Sequence, residues 1–438
     1  MASDREELNK RRKAREEQRK RRKRQQQKLY GRLALAGVIL LVCGLMIFVL
    51  SRGVSQKAEE TEPVEVIMAE GATVPTEATY SRFNRPDTVV HIVAGGDLNV
   101  TDKVVWAGQT TGQTTGRFDY TEAFLDVAGI LSEADLAVLN LEGNFVGAPY
   151  GSEKLSAPQE LAEGLKLAGV DLIQMANSTP VKNGLLGLTS TLSAIRAAGM
   201  EPVGAFSSVE EFKKTKGYTL CDVQGITIAF VAFTKGVGSL GMPTGSEDCV
   251  NMLYTDYSTT YQKVDTEGIQ KVLKNVAAEK PDLTIALLHW GSEYNDVISS
   301  TQEKIVTLMQ DGGVDVIIGT HPHMVHEISF DETTGQLVAY SLGDFFGDAS
   351  RSGTNYSILL DLEITLNGDS GTARVTDYSY TPIYTLTEEE GGGQRRVVRI
   401  REAMGAYDAN FVDKISASAY ENMKYALTRI SDRVRGKY

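Results

Sequence analysis

Three neighbouring stretches indicate the fold class of this chain: DLTIALLHW (residues 282–290), STQEKIVTLMQDGG (300–313) and VDVIIGTHPH (314–323). Two β-branched apolar runs separated by an amphipathic segment predict a strand, a helix and a second, parallel strand. The same alternation occurs upstream around VVHIVAGGD (89–97), DLAVLNLEG (135–143) and VDLIQMAN (170–177). The sequence therefore predicts an α/β domain whose mainly parallel sheet is covered by helices on both faces.

Past residue 326 the pattern changes from strand–helix alternation to hairpins. Residues 357–380, SILLDLEITLNGDSGTARVTDYSY, contain two strand-like runs joined by Asn-Gly turn chemistry. We expect antiparallel strands to end the domain near residue 385, so that the domain covers residues 87–385. Residues 386–438 are predicted to form a linker and a C-terminal helical segment that begins near residue 409.

The N-terminal region predicts a membrane anchor. A basic tail, residues 1–32, precedes an uninterrupted run of apolar residues and glycine from 33 to 50. A helix of about 20 such residues crosses a hydrocarbon core, so we predict a single transmembrane helix at residues 33–51. A cleavable signal peptide is the alternative, although no small-x-small cleavage site follows. Residues 52–86, rich in Glu, Thr, Pro and Ala, are predicted to be a flexible stalk.

The distribution of charge sets the expected topology and partners. Residues 1–32 hold 14 Lys/Arg and 5 Asp/Glu, whereas the chain as a whole carries a net charge of −12. The positive-inside rule places the N-terminus in the cytoplasm and the main domain outside the cell, with the basic tail on anionic membrane lipid. An acidic outer domain argues against nucleic acid as a partner. Cys221 and Cys249 are as consistent with two free thiols as with one disulfide.

Polar residues end the predicted parallel strands. Because ligands of open α/β sheets bind beyond the carboxyl ends of the strands, these residues should converge on one edge. Carboxylates and imidazoles suit a divalent metal such as Mn, Zn or Fe, and Glu142 could bridge two ions. The converging residues are Asp97, Glu142, Asn177, His289, His321 and His323.

Other residues near these strand ends leave two interpretations open. His326 is either a second-shell or substrate contact or a plain surface residue. Glu293 follows His289 in a loop as a substrate-binding candidate, whereas Trp290 and Tyr294 either line the site or pack beneath it. His91 is predicted to be a core or interface histidine. The glycines just before Asp97 are expected to let the backbone approach a metal.

At these residues the chain resembles the bacterial capsule-synthesis CapA family, also called the PgsA-like family of poly-γ-glutamate synthesis. The resemblance rests on GGDLNV, LNLEGN, GLLGLTSTLSAIRAAGM, HWGSEY with GTHPHMVHEI, and YSLGDF. It implies a four-layer α/β/β/α metallophosphatase-like sandwich and an anchored extracellular protein of surface-polymer synthesis, export or attachment. The metal ligands that it implies are Asp97, Glu142, His289, His321 and His323.

One segment departs from the family pattern, which reads Ala-Asn-Asn-His with an Asp three residues on. Here Ser178 replaces a metal-ligating Asn, Thr179 replaces the general-acid His, and Lys182 stands where the Asp is expected. Loss of a general acid lowers the rate by roughly 10²–10⁴-fold. In YSLGDF, Asp344 replaces an Asn and is a candidate compensating acid or metal contact.

Two functions follow from these features. The preferred one is a metal-dependent, phosphoesterase-like hydrolase or transferase, binding one or two ions and acting on an anionic surface polymer or its precursor. The alternative is a catalytically impaired subunit that binds polymer or organises the other subunits of a membrane synthase. The substitutions at Ser178 and Thr179 favour the alternative, and the intact set of metal-ligand candidates favours a retained metal.

Overall fold

The computed structural model describes residues 86–112, 118–238, 241–410 and 414–435. The predicted cytoplasmic tail, transmembrane helix and nearly all of the stalk lie outside these ranges. Within them, none of the helices combines the length and apolarity that crossing a bilayer requires. All of these residues belong to one unit, Glu77–Tyr438.

The first sheet has eight strands in the order β14-β13-β12-β1-β2-β3-β4, with β11 paired to the end of β1. Strands β1 to β4 are mutually parallel, whereas β12, β13 and β14 are antiparallel to their neighbours. The strands are β1 (Thr88–Asn99), β2 (Leu136–Glu142), β3 (Leu172–Gln174), β4 (Glu201–Val203), β11 (Asp344–Phe346), β12 (Tyr356–Leu366), β13 (Ala373–Leu386) and β14 (Arg396–Arg399).

The second sheet has six strands in the order β5-β6-β7-β8-β10-β9. Strands β6, β7, β8 and β10 are parallel, and the edge strands β5 and β9 are antiparallel. The strands are β5 (Thr219–Val223), β6 (Ile226–Thr234), β7 (Leu283–His289), β8 (Val316–Thr320), β9 (Ile328–Asp331) and β10 (Gln336–Ala339).

Alternation along the second sheet explains why the sheets stack between helices. Ile285 and Leu287 join the apolar core shared with the first sheet. Ala286 and Leu288 point the other way, toward helices that contribute Ile269 and other apolar residues. Because successive side chains of a strand face opposite sides, one continuous apolar run fills both interfaces.

Helices cover the outer faces of both sheets, so the predicted α/β class is confirmed. The outer layer of the second sheet contains the helices Thr266–Glu279 and Ser300–Asp311. The other helices are Asp102–Gly112, Thr121–Glu133, Glu160–Leu167, Gly184–Ala197, Val209–Thr215, Ile400–Asp408 and Ala417–Val434.

The first sheet continues past residue 385, where we expected it to end. Strand β14 pairs with the end of β13 after the loop EEEGGGQRR (388–396). The loop reverses the chain, and Arg395 is buried in it with an ion pair to Glu388 at 2.8 Å. This strand consists of two valines flanked by two arginines, so it lacks the apolar alternation by which a strand is predicted from sequence.

Candidate metal centre

Five predicted ligands converge where the parallel strands of the two sheets end. All five residues are buried, none more than 8% exposed. The convergence follows from topology, because the carboxyl ends of parallel strands share one edge. The residues are Asp97 in β1, Glu142 at the end of β2, His289 at the end of β7, and His321 and His323 directly after β8.

Glu142 is shared by two groups of potential ligand atoms. One group is Glu142, His289 and His321, the other is Asp97, Glu142 and His323, and the atoms within each group lie within 4.8 Å of one another. Oε1 of Glu142 lies 3.5 Å from Nε2 of His289, and Oδ2 of Asp97 lies 3.6 Å from Nδ1 of His323. Each group would hold one ion, and Glu142 would be a ligand common to both.

The His-Pro-His segment has a strained backbone. His321 has φ of +93° and His323 has φ of +60°, both in the left-handed region that favours glycine. Each such residue costs roughly 1–3 kcal/mol, and surrounding contacts must hold it. Here the backbone N–H of His321 donates to Oδ2 of Asp97 at 3.0 Å, and Tyr294 donates to the carbonyl of Pro322 at 3.0 Å. These contacts hold the segment that carries both imidazoles.

A close backbone approach brings Asp344 to the centre. The N–H of Asp97 donates to the carbonyl of Gly343 at 3.0 Å. A Cβ on Gly96 would collide with that carbonyl oxygen, so only glycine permits the approach. Strand β11 therefore pairs Asp344 with Asp97. The glycines before Asp97 were expected to let the backbone approach a metal, and the structure shows that Gly96 also allows this close contact with the carbonyl of Gly343.

Burial makes the carboxyl groups hold protons more tightly. It raises the pKa of Asp97 to about 6, with a further contribution from the nearby Asp344 carboxylate. It raises the pKa of Glu142 to about 8, and the negative charge of Asp97 adds to the effect. The pKa of Asp344 is also raised by burial. Three neighbouring carboxyl groups that resist ionisation can bind a cation, because the cation replaces their protons and offsets their negative charge.

The three imidazoles divide into two kinds. Burial, with the neighbouring imidazoles and Lys235, holds the pKa of His289 and of His321 well below the usual value. Burial also opposes the charged form of His323, but the adjacent Asp344 carboxylate outweighs it and raises the pKa of His323 to about 10. Neutral imidazoles are the form that binds metals, so His289 and His321 are already in that form.

Two buried polar atoms support a metal ion as the missing partner. Within the described residues, Oε1 of Glu142 and Nδ1 of His321 accept or donate no hydrogen bond. Buried polar atoms in proteins are nearly always paired, and the two residues that carry these atoms belong to one group of potential metal ligands. The residues present therefore fit a divalent cation.

The segment that departs from the family pattern lies against the same centre. Oγ of Ser178 lies 3.0 Å from Nε2 of His289. The hydroxyl of Thr179 donates to Oδ1 of Asn177 at 3.0 Å, and Asn177 donates in turn to Oδ1 of Asn140 at 3.1 Å. Asn140 donates to Asp97 at 2.5 Å. Thr179 thus ends a chain of hydrogen bonds that orients Asp97.

A pocket of about 200 Å³ opens beside the centre. Glu142, Thr179, Tyr294, His323 and Asp344 line it, as do Asn99 and Arg351, which the sequence analysis did not single out. Glu293 is exposed, and its carboxylate lies within 4.8 Å of ligand atoms of His321 and His323.

Three aromatic residues lie away from the pocket. Trp290 is fully buried in the core on the helix side of the second sheet and donates from Nε1 to the carbonyl of Tyr340 at 3.0 Å. His326 is also buried rather than on the surface, with Nε2 2.8 Å from the carbonyl of Asn295. His91 is exposed and pairs with Asp361 at 3.0 Å, so it is not a core histidine.

Lys235 is a residue near the centre that the sequence could have indicated. It directly follows β6, as His289 ends the neighbouring β7, and its N–H donates to the carbonyl of His289 at 2.8 Å. Its ammonium donates to the carbonyl of Gly291 at 2.7 Å. A polar residue ending a parallel strand is the same signal that identified the five ligands.

Comparison with known proteins identifies a family for most of the described chain. Residues 91–349 match the family described as bacterial capsule synthesis protein PGA_cap. The capsule biosynthesis protein CapA of Bacillus anthracis is 30% identical over 304 residues, covering 67% of this chain and 68% of that protein. The PGA biosynthesis protein CapA of Bacillus subtilis (strain 168) is 28% identical over 214 residues, covering 49% of this chain and 52% of that protein.

Solved structures show more distant similarity. The calcineurin-like phosphoesterase YfkN from Bacillus subtilis has 14% sequence identity and a TM-score of 0.40, covering 78% of this chain and 100% of that chain. The family resemblance predicted from the sequence motifs is confirmed by the sequence matches.

Proposed function

Since the chain belongs to the bacterial capsule synthesis family PGA_cap, we propose that it acts on an anionic capsule polymer, or its precursor, at a divalent-metal centre. The ligands are Asp97, Glu142, His289, His321 and His323. The relatives named for capsule and PGA biosynthesis suggest a polymer of the poly-γ-glutamate kind. The reaction is hydrolysis or transfer at the bond that the centre polarises.

The observation that carries this proposal is the unpaired Oε1 of Glu142. It is buried and lies 3.5 Å from Nε2 of His289, and the residue itself belongs to both groups of potential ligands. A buried carboxylate oxygen without a donor is costly unless a cation completes it. When bound, a divalent cation supplies the positive charge that polarises a carbonyl or phosphoryl group.

The chain's own residues orient the ligands and handle protons. Asn140 and Asn177 hold Asp97, and Asp344 holds His323 through a 2.8 Å contact with Nδ1. Asp344 lines the pocket, and its raised pKa lets its carboxyl hold a proton closer to neutral pH than an ordinary Asp. It is therefore the candidate general acid, in place of the missing histidine.

A non-catalytic role is the second candidate, and a specific observation favours it. The Thr179 hydroxyl is engaged with Asn177, and a hydroxyl does not titrate near neutral pH. Oγ of Ser178 contacts the His289 nitrogen that faces Glu142. A site without a proton donor for the leaving group can still hold polymer for other subunits of a membrane synthase.

We further propose that the protein is anchored in the cell membrane with the main domain outside. The support is the apolar run at residues 33–50 and the basic tail before it. A single-pass anchor with a cytoplasmic N-terminus would hold the centre where an exported capsule polymer passes. The basic tail would bind anionic lipid on the cytoplasmic face.

The test combines metal analysis with two model substrates. The full-length chain, purified in detergent, should contain stoichiometric divalent metal and hydrolyse bis-p-nitrophenyl phosphate or γ-glutamyl-p-nitroanilide. Glu142→Gln should lose both metal and turnover, and Glu363→Gln, in β12, should lose neither. A chain that contains metal and binds polymer but hydrolyses neither substrate would support the non-catalytic role. A chain that neither contains nor takes up metal would refute the proposed centre.

A further inference from the structure

Tyr294 connects the candidate metal centre to an arginine on the pocket wall. Its ring stacks on the imidazole of His323, with 5.2 Å between ring centroids and 25° between ring planes. The guanidinium carbon of Arg351 lies 4.1 Å from the centroid of the same ring. Both Tyr294 and Arg351 line the 200 Å³ pocket. One aromatic ring thus places a permanent positive charge beside a candidate ligand.

Four contacts hold the loop that carries Tyr294, whose φ is +57°. Lys235 donates to the carbonyl of Gly291, and the N–H of Tyr294 donates to the carbonyl of Pro322. The imidazole of His326 contacts the carbonyl of the next residue at 2.8 Å. Finally, Nη2 of Arg433 donates to both oxygens of Asp296 at 2.8 Å. The backbone that carries the ring is therefore held in place, and the ring itself contacts His323 on one side and Arg351 on the other.

The backbone of Arg351 is also held in place. Its carbonyl accepts hydrogen bonds from the N–H of Thr354 at 3.2 Å and from the Thr354 hydroxyl at 2.9 Å. In the part of the chain that the structure describes, no salt bridge engages the Arg351 guanidinium, unlike that of Arg395 or Arg433. A guanidinium over the face of an aromatic ring forms no hydrogen bond to that ring's edge and leaves its N–H donors to pair with an anion. Those donors are available to a ligand in the pocket.

We infer that Arg351, positioned by Tyr294, binds an anionic group of the substrate beside the reacting bond and thereby selects a charged polymer. The inference rests on the proposed function and names its substrate class. The anion is a carboxylate or a phosphate, because the guanidinium fork pairs with either through two parallel hydrogen bonds. Such a contact would explain how an acidic protein retains an anionic chain, whose charge its overall field repels.

The neighbouring Asp348 also lines the pocket. Its Oδ1 accepts the N–H of Ser350 at 3.1 Å, so the carboxylate helps to shape the turn before Arg351. A negative group this close disfavours a second anion in the pocket. Arg351 is thus expected to hold one anionic group of the substrate, with the next unit directed away from Asp348.

The test is direct binding to the full-length, metal-loaded chain in detergent, by titration calorimetry at fixed ionic strength. The probes are γ-linked triglutamate, the same trimer with every carboxylate converted to an amide, and inorganic phosphate. Arg351→Ala should weaken binding of the acidic trimer by roughly 10- to 100-fold, as expected for hydrogen bonds to a charged group, and leave the neutral trimer unaffected. Metal content should not change.

Two further variants keep the experiment decisive. Arg351→Lys keeps the charge but loses the fork, so it should weaken trimer binding less than Arg351→Ala, and it serves if the alanine variant does not fold. Arg401→Ala removes the same charge on the exposed face of helix Ile400–Asp408 and should change nothing.

The outcomes separate the inference from the function on which it rests. Loss of affinity for the trimer alone assigns a carboxylate, and loss for phosphate alone assigns a phosphate. Unchanged affinity of Arg351→Ala for both anions would overturn the inference and leave the proposed function intact. Failure of the wild-type chain to bind either anion would overturn both.

Discussion

Oδ1 of Asp344 lies 2.8 Å from Nδ1 of His323 and also accepts a 2.9 Å hydrogen bond from Nδ2 of Asn99. Strand β11 makes this contact possible by pairing with the end of β1. Because Nδ1 of His323 is engaged by a carboxylate, Nε2 remains as the second ring nitrogen. Carboxylates that orient ligating imidazoles in this way typically affect metal affinity without binding the metal themselves.

Replacing Asp344 with Asn should therefore weaken metal binding about 10- to 100-fold, because the amide cannot supply the negative charge that holds His323. Metal titration of the purified variant measures this. Asp348→Asn, on the same pocket wall, is the matched control and should bind metal as the wild type does. If Asp344→Asn keeps full metal affinity but loses turnover, Asp344 acts as the general acid instead.

Alanine at both His321 and His323 should abolish stoichiometric metal. Metal binds the folded state, so the variant should also lose the rise in melting temperature that added Zn or Mn gives the wild type. Elemental analysis and thermal denaturation check the two effects. His91→Ala, which removes an exposed histidine paired with Asp361, should leave both unchanged. A wild-type chain that gains no thermal stability from either metal would contradict the proposed centre.

Metal affinity should rise with pH. The pKa of Glu142 is raised to about 8 and that of Asp97 to about 6. Both are raised above their unfolded values, so in the metal-free chain their contribution to stability is lost as pH rises through those values. A metal bound by Glu142 and His323 displaces a proton from each, since the pKa of His323 is raised to about 10, so affinity should increase by at least about tenfold per pH unit between about 6 and 8. Titrations at several pH values test this, and a flat profile would contradict it.

The Thr179 hydroxyl cannot replace a titrating general acid. Unless Asp344 donates the proton, hydrolysis should therefore favour leaving groups that need no protonation, such as nitrophenolate. Restoring Ser178→Asn and Thr179→His together should raise turnover on poor leaving groups more than on good ones, by up to about 10²–10⁴-fold. Paired kinetic assays on nitrophenyl and alkyl esters compare the two. Efficient wild-type cleavage of alkyl esters would show that another residue, with Asp344 foremost, already donates the proton.

Protease added to intact cells should remove the main domain and spare the N-terminal tail. The reason is that Lys and Arg are concentrated before the apolar run at residues 33–50, which would orient a membrane span there with the tail inside. Antibodies to tags at each end, followed by immunoblotting, distinguish the fragments. Permeabilised cells supply the control, since both ends should then be digested. A secreted form that begins after residue 51 would show instead that the segment is a cleaved signal.

Much of the candidate site could be predicted because its ligands are set by local pattern. Each ligand candidate follows an apolar run that forms a parallel strand. The carboxyl end of such a strand lies at the same edge of the sheet, whichever strands pair with it. Lys235 follows the same pattern, because it lies at the end of β6. The position of Trp290 follows from a second local pattern. Side chains alternate along a strand, so the residue after His289 points to the helix side of the sheet.

The α/β class and the residues that end the parallel strands could thus be predicted from the sequence, since both depend on periodicity within about ten positions. Which distant segments meet depends instead on tertiary packing. The pairing of β11 with β1 depends on the fit of Gly96 against the Gly343 carbonyl, and it places Asp344 beside His323. The stacking of Arg351 on Tyr294 depends on two loops anchored by unrelated parts of the chain. Such contacts leave no local pattern, because packing between segments far apart in sequence creates them.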